Sequence, residues 1–81
     1  SAMLLAIDIG NTNVVWGLYR GSTLVAHWRL ATDAKKTADE YGVLFSTLFA
    51  HAGQIPALVD GAILSSVVPA LTGTFEAMVG T

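Results

Sequence analysis

The chain has 81 residues, enough for one small domain and no more. Its balance of 53% hydrophobic to 12% charged residues, at a mean hydropathy of +0.60, predicts strands covered on both faces, as in an α/β sheet. A net charge of −2 with four basic residues gives no footprint for nucleic acid, and the lack of cysteine excludes disulfides and thiolate zinc sites.

Asp8 and Asp60 interrupt the apolar stretches well short of the roughly 18 clean residues a membrane span requires. No basic segment precedes an apolar one at the start, so nothing marks secretion. Ser1 and Ala2 read as a tag remnant ahead of a native Met3, which leaves residues 3–81 as the domain portion.

In chain order, Met3 to Ile9 is a β-type run and Asn13 to Tyr19 ("NVVWGLY") a second. Between them "GN" occupies a hairpin slot where both residues tolerate positive φ. "RGST" forms the next turn, and "TLVAHWRLAT" then alternates. Leu24, Ala26, Trp28 and Leu30 are expected on one face, with Val25, His27 and Arg29 on the other. These three strands make an antiparallel meander with the third at its edge.

The period then changes. Tyr41, Leu44, Phe45, Leu48, Phe49 and Ala52 recur at helical spacing, Thr37 with Glu40 reads as a capping box, and Gly53 as the stop. "VDGAILSSVVP" is a fourth strand closed by Pro69, expected parallel to the first through a right-handed crossover. Leu71, Phe75, Met78 and Val79 share the face of a final helix that Gly73 weakens. The order is βββαβα.

"DIGNTN" puts a carboxylate, Asp8, near the end of a strand read as central, where an unpaired charge requires a cation, a hydrogen-bonding turn or a solvated cleft. Gly10 permits close backbone approach. Amides from Gly10 to Asn13, with the Thr12 hydroxyl and the Asn11 and Asn13 side chains, fit an anion-binding concavity. A carboxylate beside such a cradle lets Mg²⁺ bridge protein and nucleotide. The same residues also fit a plain tight hairpin, so the six letters alone leave both readings open.

The surrounding order resembles the ribonuclease H-like fold of actin-like ATPases and hexokinases, here a half-domain that stops before a fifth strand. Within that superfamily "DIGNTN", preceded by "LLAI" and followed by "VVWGLY", is similar to the first phosphate motif of type III pantothenate kinases. The similarity continues in "HWRLAT", "TADEY" and "SSVVP".

The resemblance implies phosphorylation of pantothenate to 4′-phosphopantothenate by ATP, the first step towards coenzyme A. It also implies Mg²⁺, a monovalent cation (K⁺ or NH₄⁺), a cytoplasmic location and a homodimer. The ATP-phosphate loop falls on Asp8, Ile9, Gly10, Asn11, Thr12, Asn13, Val14 and Val15, with Asp8 also holding the metal.

By the same resemblance the general base and most of the pantothenate site lie beyond Thr81, together with a second domain. The chain alone is therefore expected to be inactive. Two other readings accompany this one: a non-catalytic regulatory or interaction protein of the same family, and a different phosphotransferase of the superfamily. The apolar fourth strand, left as an edge, predicts self-association.

Other polar residues carry less. Lys35 and Lys36 fit a solvated pair better than phosphate ligands, and Arg29 fits a surface ion pair. His27 and His51 have no partner at metal-ligand spacing. Ser65 and Ser66 close a strand with no base beside them, so a structural and a ligand-facing role both stand. Trp16, Trp28, Phe45 and Phe49 read as core.

Overall fold

Period-two patterning produces four strands: β1 (Met3–Ile9), β2 (Asn13–Arg20), β3 (Thr23–Ala31) and β4 (Gly61–Ser66). Helix α1 spans Ala38–His51 and α2 spans Pro69–Met78, with a single 3₁₀ turn at Pro56–Leu58. The computed structural model describes residues 2–80. Ser1, half of the expected tag remnant, and Thr81 lie outside the described residues. Ala2, the other half, is engaged in the fold, because its carbonyl accepts the Gly21 N–H at 3.0 Å.

The sheet order is β3-β2-β1-β4. β1 pairs antiparallel with β2 and parallel with β4, while β2 pairs antiparallel with β3. The expected meander and the parallel fourth strand are both present. Asp60 fixes the start of β4, its N–H donating to Met3 O at 2.8 Å and its Oδ2 accepting the Met3 N–H at 2.7 Å.

Helix α1 begins as its sequence dictates. Thr37 Oγ1 accepts the Glu40 N–H, and Glu40 Oε1 accepts the Thr37 N–H. It ends where Gly53 takes φ +70°. Gln54 N–H then reaches Phe49 O and Gly53 N–H reaches Ala50 O, the paired bonds of a Schellman end. Pro69, expected to close the fourth strand, opens α2 at its first turn, where a missing N–H costs nothing.

Both helices pack on one face of the sheet. Met3, Leu5, Ile7 and Ile9 of β1 and Val14, Trp16 and Leu18 of β2 meet Tyr41 and Phe49 of α1 and Leu71 and Phe75 of α2. An aromatic chain runs through this core: Trp28–Phe49 at 4.9 Å, Phe49–Phe45 at 4.2 Å, Phe45–Trp16 at 4.7 Å, Trp16–Phe75 at 6.0 Å and Phe75–Tyr41 at 4.6 Å between centroids.

Two expectations are corrected. Among the described residues no strand is covered on both faces: α1 and α2 both take the same side, and Leu4, Leu24 and Ile63 stand exposed on the other. Leu24 does not share a face with Ala26, Trp28 and Leu30. The pairing steps from Leu18↔Ala26 to Tyr19↔Leu24, so Val25 is an extra residue in β3, and the bulge sends Leu24 to the open side beside His27. Alternation in the sequence carries no sign of an inserted residue.

Candidate functional site

Asp8 closes β1 on the open face and is exposed, so solvent, rather than a buried partner, accommodates its charge. Of the three settings expected for this carboxylate (a cation, a hydrogen-bonding turn or a solvated cleft), the described residues supply the solvated one. Register places Val15 beside Asp8 on β2, Ser65 beside it on β4 and Arg29 beyond Val15 on β3. This row, Arg29–Val15–Asp8–Ser65, is the polar end of the open face. The next row, His27–Gly17–Ala6–Ile63, is mostly apolar. An open depression of about 580 Å³ covers the two rows from Ser65 to His27.

Beyond Asp8 the chain turns through Gly10, Asn11 and Thr12. The turn differs from the expected positive-φ hairpin: neither Gly10 nor Asn11 has positive φ. Gly10 is needed for space instead, since a Cβ there would lie 3.1 Å from Asn13 O. Its N–H donates to that same oxygen at 2.9 Å. From the end of β3, the Thr32 hydroxyl donates to Gly10 O at 2.7 Å and the Thr32 N–H to Thr12 O at 2.9 Å. Among the described residues the N–H groups of Asn11 and Thr12 have no acceptor. The loop therefore keeps its shape through carbonyls and presents unengaged donors to solvent.

The eight residues singled out from sequence separate into two roles. Asp8, Asn11 and Thr12 are exposed, and Gly10, Asn13 and Val15 are partly so. Ile9 and Val14 point into the core with no exposure, so their side chains anchor the loop and only their backbone is near it.

Ser65 and Ser66 divide likewise. Ser65 faces the depression, whereas Ser66 Oγ donates to Val68 O and accepts the Val68 N–H, both at 3.1 Å, shaping the entry to α2. Lys36 lies 3.9 Å from Asp33 Oδ2 on the surface, and Arg29 forms no ion pair among the described residues. His27 lines the depression, and His51 sits in the last turn of α1.

Thr32 is the residue sequence reasoning missed. It lies in the "HWRLAT" segment, but strand periodicity specifies only a face, not a hydroxyl aimed at a loop two strands away. Behind it, Asp33 N–H donates to Tyr41 Oη and the Tyr41 hydroxyl donates to Asp33 O, both at 2.9 Å.

No group of three or more His, Cys, Asp or Glu placed to hold a metal ion exists among the described residues. Asp8 by itself fits Mg²⁺, which keeps several waters and takes one or two carboxylates plus substrate phosphates.

A mixed sheet with two helices on one face, and a polar loop braced where β1 ends, defines an α/β protein of the actin-like ATPase type, in half-domain form. The chain belongs to the type III pantothenate kinase family, whose sequence profile matches residues 4–81.

It is similar to the type III pantothenate kinase of Pelobacter propionicus, 57% identical over 76 residues, which are 94% of this chain and 30% of that protein. The Exiguobacterium relative of the same name is 53% identical over 76 residues, again 94% of this chain and 30% of that protein. The Brevibacillus brevis relative is 55% identical over 78 residues, 96% of this chain and 31% of that protein. The chain thus spans less than a third of the length of these curated relatives.

Proposed function

We propose that this chain supplies the ATP-phosphate loop of an enzyme that transfers the γ-phosphoryl group of ATP to pantothenate. The observation that carries the reading is the braced loop with free Asn11 and Thr12 donors, directly following an exposed Asp8 at the end of β1. Phosphoryl transfer requires positioning and charge stabilisation more than covalent participation by the protein.

In the reaction, the pantothenate hydroxyl oxygen bonds to the γ-phosphorus as the bond to the β-phosphate bridging oxygen breaks. ADP leaves with that electron pair, and the hydroxyl proton passes to a base. The loop amides and the Thr12 hydroxyl hold phosphate oxygens, and Asp8 is the residue that would hold Mg²⁺, which would supply neutralisation of the phosphate charge. The base belongs to segments that follow residue 81 in the longer kinase, so the chain alone is inactive. No step here passes through a monovalent cation. A cytoplasmic, dimeric enzyme is the corresponding whole, and the exposed apolar β4 edge supports self-association of this portion. No helix among the described residues is long and apolar enough to cross a membrane.

The test is a ¹⁵N NMR titration with MgATP. Saturable shifts are expected at Asn11, Thr12 and Asn13. Asp8→Asn is expected to weaken binding about ten- to hundredfold, the scale of one charge-assisted contact. A well-dispersed spectrum that ignores MgATP would remove the support for a working phosphate loop. Formation of phosphopantothenate by the chain alone would overturn its assignment as an incomplete site.

A further inference from the structure

We propose that Thr32 is a positioning residue that aims the donors of the phosphate loop; its ligand rests on the ATP reading above, but its geometry does not. One residue supplies two of the three hydrogen bonds that shape the turn, the hydroxyl to Gly10 O at 2.7 Å and the N–H to Thr12 O at 2.9 Å. The two bonds bracket Asn11. Among the described residues there is no cis peptide, and in a trans peptide plane the carbonyl and the next N–H point in opposite directions. Drawing Gly10 O towards β3 therefore turns the Asn11 N–H away from β3. Drawing Thr12 O the same way fixes the plane that carries the Asn13 N–H. Thr32 thus decides where the Asn11 and Asn13 N–H groups face without touching a ligand.

The brace is stiff because its foundation is the core. Tyr41 is fully buried, its ring lies 4.6 Å from that of Phe75, and its hydroxyl both donates to and accepts from the Asp33 backbone. Residue 33 is therefore held on the core side while residue 32 holds the loop. Strand and loop are tied through two adjacent residues, and donors placed in advance lose little freedom when an anion arrives.

The experiment compares Thr32→Val, which keeps shape and N–H but removes the hydroxyl, with Thr32→Ser, which restores it. Amide hydrogen exchange and MgATP affinity are read on the folded chain by ¹⁵N NMR. In Thr32→Val the Gly10 amide is expected to exchange about tenfold faster, and the MgATP Kd to rise about tenfold, as expected for one lost hydrogen bond. Thr32→Ser is expected to stay within about twofold of the parent in both.

A residue that only stabilised the fold would lower the unfolding midpoint while leaving the Kd of the folded protein unchanged. That result, or a Thr32→Ser that fails to rescue, overturns the proposal. If the parent chain itself ignores MgATP, the ATP reading is what fails. The brace is then decided by exchange: faster at Gly10 in Thr32→Val alone supports it, and equal rates in all three proteins overturn it.

Discussion

Along β1 the side chains divide by parity. Met3, Leu5, Ile7 and Ile9 enter the core under α1 and α2, whereas Leu4, Ala6 and Asp8 face a side that no helix among the described residues covers. The covered face is continuous and aromatic, and side chains there are held by neighbours on every side. The open face is graded, polar where β1 and β4 end together and apolar towards Leu4 and Leu24. Stability therefore resides on one side of the sheet and the candidate chemistry on the other, with β1 contributing to both through alternate residues.

The sharpest way to break that comparison is to perturb each face once. Phe49 is fully buried, stacks on Trp28 and packs at a tilt against Phe45. Phe49→Ala is expected to cost about 3–5 kcal/mol, a large share of the roughly 5–15 kcal/mol that holds a whole domain folded. Ile63, on the edge strand β4, is 64% exposed. Ile63→Lys is expected to change stability by less than about 0.5 kcal/mol and to reduce self-association, because a charge on a sheet edge opposes pairing with another chain. Urea unfolding midpoints and sedimentation of the two variants check both statements. A cost at Ile63 comparable to that at Phe49 would mean that the open side is covered in solution.

The covered face was the more legible one. Apolar spacing located β1, β2, α1 and α2, and the Thr37–Glu40 pair with Gly53 fixed both ends of α1, because caps and periodicity are local and depend on a few adjacent residues. Which side of the sheet a helix takes is not local. Composition pointed to two covered faces, yet both helices lie on one. The Val25 bulge was invisible for a related reason: alternation reads the same until pairing with Leu18 and Tyr19 reveals the extra residue. In the candidate site, "DIGNTN" marked the loop and the carboxylate correctly as polar features at the end of a strand. The absence of positive φ at Gly10 and the brace from Thr32 go with what β3 and α1 bring to the loop from 20 to 30 residues away.

Tyr41 is where the two faces communicate, so it sharpens the comparison next. Tyr41→Phe keeps the ring against Phe75 but removes both bonds to Asp33, leaving a part-buried backbone N–H and carbonyl with one partner fewer. The expected loss is about 1–2 kcal/mol, well below that of Phe49→Ala, since the apolar contact survives. Its signature is uneven. Amide exchange should quicken around residues 31–33 and the turn at Gly10, while the α1 interior and the centre of β1 change only in proportion to global stability. Uniform acceleration across the sheet would show that Tyr41 acts through packing alone and that the hydroxyl does not connect core and loop.

The smallest effect belongs to the exposed start of the helix that covers the sheet. The Thr37 backbone N–H donates to the Glu40 carboxylate, and this bond, followed by the Thr37 side-chain interaction, holds the Glu40 pKa below the ordinary glutamate value. A carboxyl lowered in the folded state binds its proton less readily there than in the unfolded chain. Its contribution is therefore present above the unfolded value of about 4.3 and disappears as pH falls through the lower folded value. Glu40→Gln retains an oxygen acceptor for Thr37 but no titrating group. The difference in unfolding midpoint between parent and variant should therefore stay constant at higher pH and shift against the parent on acidification from about pH 6 to about pH 3. Subtracting the two proteins removes most of the titration of the other five side-chain carboxylates, Asp33 being the one that also interacts with Glu40. A difference independent of pH would show that the capping box holds α1 equally well with its glutamate neutral, and that charge plays no part in how this helix is seated on the covered face.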